Sequence, residues 1–177
     1  MPTNLDTLRA QPLTLITPAT QALADGGSIG AWRNAMEVAI RRSQTAAYIA
    51  ATADRLGVAP GLVKGLSRAE RAELQTRIAA QLKYLDGFVA DLKAGKLTMP
   101  QAQARAALYA GAGRGTYSAT RWPGLPFYPT EGSECLTNCK CSWRDEGGGS
   151  FVWVLAADEH CPTCSSRASG SPYQVGQ

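Results

Sequence analysis

The sequence contains a single histidine, His160, in 177 residues. Histidine is the usual proton shuttle near neutral pH, so acid–base chemistry has little to draw on here. No nucleophile stands beside a base in a recognisable motif. No paired carboxylates form a known catalytic signature, and no nucleotide-binding loop is written into the chain. Apolar runs are short, and none approaches the roughly 20 residues that cross a bilayer as a helix. The opening Met1-Pro2-Thr3-Asn4 lacks the basic start and apolar core of a secretory signal, which predicts a cytosolic setting. Together these absences predict a protein that binds and assembles and is not an enzyme.

Charge is present but uneven. Residues 1–121 carry 15 Lys and Arg against 8 Asp and Glu, a net of +7; residues 122–177 carry 3 against 6, a net of −3. No block of like charge occurs in either part. Cations and anions alternate along the first part, as on solvated helix faces, although a basic body also suits nucleic acid or an acidic protein surface.

The chain changes character twice. Residues 1–27 hold Pro2, Pro12 and Pro18, then Gly26-Gly27, with no sustained period. This predicts an extended N-terminal arm that orders against a partner through Leu5, Leu8, Leu13, Leu15 and Ile16. Residues 28–121 read as a helical domain of two long helices and one short one. Ser28 caps a first helix carrying Ile29, Trp32, Met36, Ala39 and Ile40, closed by Gly57 and Pro60. Ser67-Arg68-Ala69-Glu70 is a capping box ahead of a stripe formed by Leu74, Ile78, Leu82, Leu85, Val89 and Leu92. Thr98 and Gln101 cap a shorter helix through Leu108 and Tyr109, with Pro100 in its first turn. Gly111, Gly113 and Gly115 read as a flexible connection, and the helical period is gone after Trp122-Pro123.

All five cysteines lie in residues 122–177, beside the one histidine. Cys135, Cys139 and Cys141 precede Trp143 and the polar turn Asp145-Glu146-Gly147-Gly148-Gly149-Ser150. The run Phe151-Val152-Trp153-Val154-Leu155 follows, then His160-Cys161-Pro162-Thr163-Cys164. A turn between two β-prone runs predicts an antiparallel hairpin that returns the later cysteines to the earlier ones. In a reducing compartment such a cluster points to metal rather than disulfides. Zinc takes four sulfur or nitrogen ligands in a tetrahedron, and two chelating turns on a hairpin supply them. The expected set is Cys135, Cys161, Cys164 and one of Cys139 or Cys141, with His160 or the remaining thiol to spare. A redox Cys-x-x-Cys would need a βαβ setting that is not evident. Sequence neighbours such as His160 and Cys161 rarely form a catalytic pair. A zinc deaminase would need a His-x-Glu, and none exists. The expected fold class is therefore α+β: extended arm, helical body, and a small β-hairpin zinc module.

Several phrases resemble the minor head, or head morphogenesis, proteins of tailed bacteriophages. They are Gln81-Leu82-Lys83-Tyr84-Leu85-Asp86-Gly87-Phe88, Ala107-Leu108-Tyr109-Ala110 and Thr116-Tyr117. More specific are Glu134-Cys135-Leu136-Thr137-Asn138-Cys139-Lys140-Cys141, Trp153-Val154-Leu155, His160-Cys161-Pro162-Thr163-Cys164 and Gly170-Ser171-Pro172-Tyr173. The likeness spans roughly residues 28–175. It implies a virion structural protein, assembled in the host cytoplasm and placed near the portal or on the shell. Its partners would be capsid or portal proteins, or further copies of itself, with no membrane contact. A chain this short beside many minor head proteins also fits a cement or decoration role. The alternative is a zinc-ribbon-like module that binds nucleic acid, aided by the basic body and by Trp143 and Trp153. The acidic cysteine region disfavours it, since nucleic-acid fingers carry their own cations.

Overall fold

Three helix starts are set by short polar side chains that satisfy otherwise orphaned backbone N–H groups. The computed structural model describes residues 5–128, 141–157 and 160–175. Ser28 Oγ accepts the Ala31 N–H at 3.1 Å and opens α2, Ile29–Leu56; Gly57, with φ at 67°, closes it. Ser67 and Glu70 form a reciprocal capping box at 2.8 and 3.2 Å, starting α3, Arg68–Lys93. The Ser67 N–H against the carboxylate also holds Glu70 below its ordinary titration range. Thr98 and Gln101 repeat the device at 2.9 and 3.4 Å for α4, Met99–Tyr109.

Residues expected to be an extended arm form a further helix, α1, Leu5–Ala24, with Pro12 and Pro18 inside it. Each internal proline removes one helix hydrogen bond and crowds the preceding turn, at about 3 kcal/mol. Burial offsets that cost. Leu8 and Ile16 are buried, and Leu13, Leu15, Ala19 and Leu23 pack on the core formed around Trp32, Met36, Ile40 and Phe88. Thr20 is also buried, and its Oγ1 accepts the Trp32 indole N–H at 3.1 Å. The N-terminal residues thus cover their own subunit.

The glycines at 111–115 are likewise part of an ordered element. Gly113–Arg121 is helix α5, lying along α2 with Gly113, Gly115, Thr116, Tyr117, Ser118, Ala119 and Thr120 all buried. Gly113 is there for closeness: a Cβ would meet Ser43 Oγ at 2.9 Å and Ala47 Cβ at 3.4 Å. Polar bonds replace the missing apolar contacts. Thr116 bonds Gln44, and the Tyr117 hydroxyl donates to Asp54 Oδ2 at 2.5 Å. Residues 28–121 therefore hold four α-helices, against the three expected, and α1 adds a fifth to the body. On α3, Leu74, Ile78, Leu85 and Val89 are buried as the spacing predicts, whereas Leu82 and Leu92 are half-buried.

A small antiparallel sheet follows. Strands β1, Ser142–Gly147, and β2, Ser150–Val154, form the expected hairpin with Trp143 opposite Trp153. Strand β3, Tyr173–Gln174, joins the other edge of β2, so the order is β1-β2-β3. Helix α6, Pro162–Ser169, lies between β2 and β3, so helical structure returns beyond Trp122-Pro123. The protein is thus mostly helical with a three-stranded sheet. Among the described residues no helix is long and apolar enough to cross a membrane.

Candidate functional site

The cysteine region is built on an aromatic core. Strand alternation sends Trp143 and Trp153 to one face, where their rings meet at 5.1 Å, edge to face. Phe127 lies 5.1 Å from Trp143 and 5.3 Å from Trp153, and Tyr173 lies 5.2 Å from Phe127. The Arg167 guanidinium of α6 sits over Phe127 at 4.1 Å and over Trp153 at 5.4 Å. Two polar ends are tied down: Trp143 Nε1 donates to the Phe127 carbonyl, and Tyr173 Oη to the Arg167 carbonyl, both at 2.9 Å. Trp122 connects this core to the helical body, touching Tyr117 at 6.3 Å and Phe151 at 6.5 Å.

Three cysteines border this core. Cys141, just ahead of β1, is buried, Cys164 in the first turn of α6 is fully buried, and Cys161 is half-buried beside them. Cys161 is also the N-cap of α6: its Sγ accepts the Cys164 N–H at 3.4 Å, and its carbonyl accepts the Ser165 N–H at 3.1 Å. Pro162 sits in the first turn, where its missing N–H costs nothing. The turn sets two sulfurs three residues apart at the start of a helix, a spacing at which both can face one ion. The Cys-x-x-Cys turn therefore fits half of a zinc site. His160 is exposed at the mouth of this turn.

Cys135 and Cys139, both expected as ligands, fall outside the described residues. Among the described residues no three His, Cys, Asp or Glu side chains come together as a metal-holding group, so Cys141 does not complete a triad with Cys161 and Cys164. The hairpin does bring Cys141 and Cys164 into one cluster, as its turn predicts.

Sequence reasoning missed Phe127, Arg167 and Tyr173, which supply much of the module's core. Phe127 sits in a proline-rich passage with no period to mark it. Arg167 and Tyr173 acquire their roles only once α6 and β3 form. No protein-family model, curated protein or solved structure gives a significant match to this chain.

Proposed function

We propose that this chain is a non-enzymatic structural protein of a tailed-bacteriophage head, of the minor head or cement type, with a C-terminal module held by one zinc ion. The observation that carries the zinc reading is the Cys161–Cys164 turn, with sulfur at a helix N-cap accepting a backbone N–H beside a buried second sulfur. The proposed ligands are Cys135, Cys139, Cys161 and Cys164. Cys141 then serves as a buried thiol of the aromatic core, consistent with its packing beside Trp143 and Trp153. The head assignment rests on the resemblance of the paired cysteine phrases. A module stapled by metal and fixed to a helical body through Trp122 suits a protein that must keep its shape within an assembly.

Elemental analysis of the purified chain should give about one zinc per molecule, and a strong chelator should melt the aromatic module while leaving α1–α5 folded. An intact module in metal-free protein would overturn the zinc reading. The head reading has its own test: the chain should co-sediment with phage heads, and recovery only among soluble proteins would overturn it.

A further inference from the structure

A cavity of about 340 Å³ is lined by Gln11, Pro12 and Leu15 of α1 and by Arg42, Ser43 and Ala46 of α2. Its volume falls at the small end of the range for small-molecule sites, roughly 300–1,000 Å³. The residue types account for the space. Pro12, Ser43 and Ala46 have compact side chains, and they leave room that longer ones would fill. Pro12 and Ser43 are buried and form the inner wall, whereas Gln11 and Arg42 are exposed and mark the mouth, together with Thr14.

The polar groups here divide into those already committed and those available. Thr14 Oγ1 donates to the Gln11 carbonyl at 2.7 Å. The Ser43 hydroxyl lies against α5, where a Cβ at Gly113 would meet it at 2.9 Å. Arg41, one position before Arg42, is paired with Glu37 at 2.8 Å. The Arg42 guanidinium and the Gln11 side-chain amide have no such partner among the described residues. Among the described residues that line the cavity, Arg42 is the only charged one, so no carboxylate of the chain answers it there.

This combination selects one kind of ligand. A guanidinium beside a primary amide offers several N–H donors, which suit the two oxygens of a carboxylate. A phosphate brings a second charge and more acceptor oxygens than these two groups satisfy. Pro12, Leu15 and the Ala46 methyl offer apolar surface for a hydrocarbon body. We propose that this cavity binds a small carboxylic acid in its anionic form, with the carboxylate on Arg42 and Gln11 and a short apolar body on Pro12, Leu15 and Ala46. Such a site depends neither on zinc nor on a place in a phage head.

Octanoate titrated into the full chain, followed through backbone amide NMR shifts, tests it. Saturable shifts should centre on residues 11–15 and 42–46, with a dissociation constant in the millimolar range or tighter. Acetate has the charge without the body, and octylamine has the body with the opposite charge. Each should bind at least about tenfold more weakly than octanoate. Arg42→Gln should weaken octanoate by about tenfold or more, because a charge-assisted hydrogen bond is lost. Arg41→Gln, at the neighbouring paired cation, should leave binding unchanged. Ala46→Leu, which fills the cavity without altering its charge, should abolish binding. Circular dichroism confirms that each variant folds, and Arg42→Gln, at an exposed position, decides the matter if Ala46→Leu does not. Octanoate shifts that are absent or scattered over the surface would overturn the site, as would equal losses in Arg41→Gln and Arg42→Gln. Octylamine or acetate binding as tightly as octanoate would do the same, and octyl phosphate binding more tightly would overturn the assignment to carboxylates.

Discussion

The indole N–H of Trp32 on α2 donates to Thr20 Oγ1 on α1 at 3.1 Å, and that hydroxyl in turn donates a hydrogen bond to the Ile16 carbonyl at 2.7 Å. Both residues are buried, at 2% and 3% exposure, so the relay binds the N-terminal helix to the core where water cannot substitute. Trp32 also meets Phe88 of α3 edge to face at 4.9 Å, which places the relay at the junction of three helices.

Replacing Thr20 with Val keeps the volume and removes the acceptor. The Trp32 N–H is then buried without a partner, at about 1–3 kcal/mol. Urea unfolding should show that loss, and most of it should vanish in a Trp32→Phe background. An equal loss in both backgrounds would mean that Thr20 acts through packing alone.

The α1 helix was illegible in the sequence for a definable reason. Pro12, Pro18 and Gly26-Gly27 are strong local signals against a long helix, and the stabilising burial against Trp32 and Ile40 is tertiary. Gly113 misleads in the same direction: its freedom suggests a hinge, yet its use is close approach to Ser43. Where the decisive interaction is local, the reading holds. Ser28, Ser67–Glu70 and Thr98–Gln101 set three helix starts from within four residues each, and the alternation around Trp143 and Trp153 sets the hairpin. At the candidate metal centre, the Cys161-x-x-Cys164 spacing was legible in the sequence, whereas its place at the start of α6 and the buried setting of Cys141 beside Phe127, Trp143 and Trp153 depend on packing.

The difference between Leu85 and Leu82 gives a second check. Leu85 is 0% exposed, whereas Leu82 is half-buried between two core clusters. Leu85→Ala should cost about 2–5 kcal/mol, with Leu82→Ala clearly below it, since part of Leu82 already faces water. Equal costs in chemical denaturation would show that the α3 stripe is buried uniformly, by a surface beyond this subunit.

Alkaline pH probes the contact between α2 and α5. Burial pushes the Tyr117 hydroxyl above its ordinary range, and its hydrogen bond to Asp54 pushes it further; burial likewise raises Tyr48 and Tyr109 to about 12. A phenol whose folded-state pKa exceeds its unfolded value stabilises the fold fully below that unfolded value, about 10. The contribution drains away as pH rises from there through the folded value. Stability measured by urea should therefore be flat approaching pH 10 and fall above it. Tyr117→Phe should cost about 1–3 kcal/mol at neutral pH, where the hydroxyl bond to Asp54 is lost, and should make the alkaline fall shallower. An unchanged alkaline slope would show that Tyr117 ionises as freely in the fold as in the unfolded chain.

The cysteines allow the sharpest division of roles, because the proposed ligand set separates two thiols only two positions apart. Cys139→Ser, Cys161→Ser or Cys164→Ser removes a sulfur from the tetrahedron, and oxygen is a poor replacement in a site of this kind. Each should lower bound zinc well below one equivalent and melt the module at temperatures where α1–α5 persist. Cys141→Ser should behave differently, keeping zinc near one equivalent while losing stability through a hydroxyl placed beside Trp143 and Trp153. His160→Ala should change neither quantity, since that side chain is exposed and outside the set. Zinc assay and thermal unfolding on the five variants give a pattern that packing defects alone do not produce, because a core defect lowers stability without a matching loss of metal. Zinc lost from Cys141→Ser and retained in Cys139→Ser would exchange the two assignments, and zinc retained in all five would remove the metal from this module.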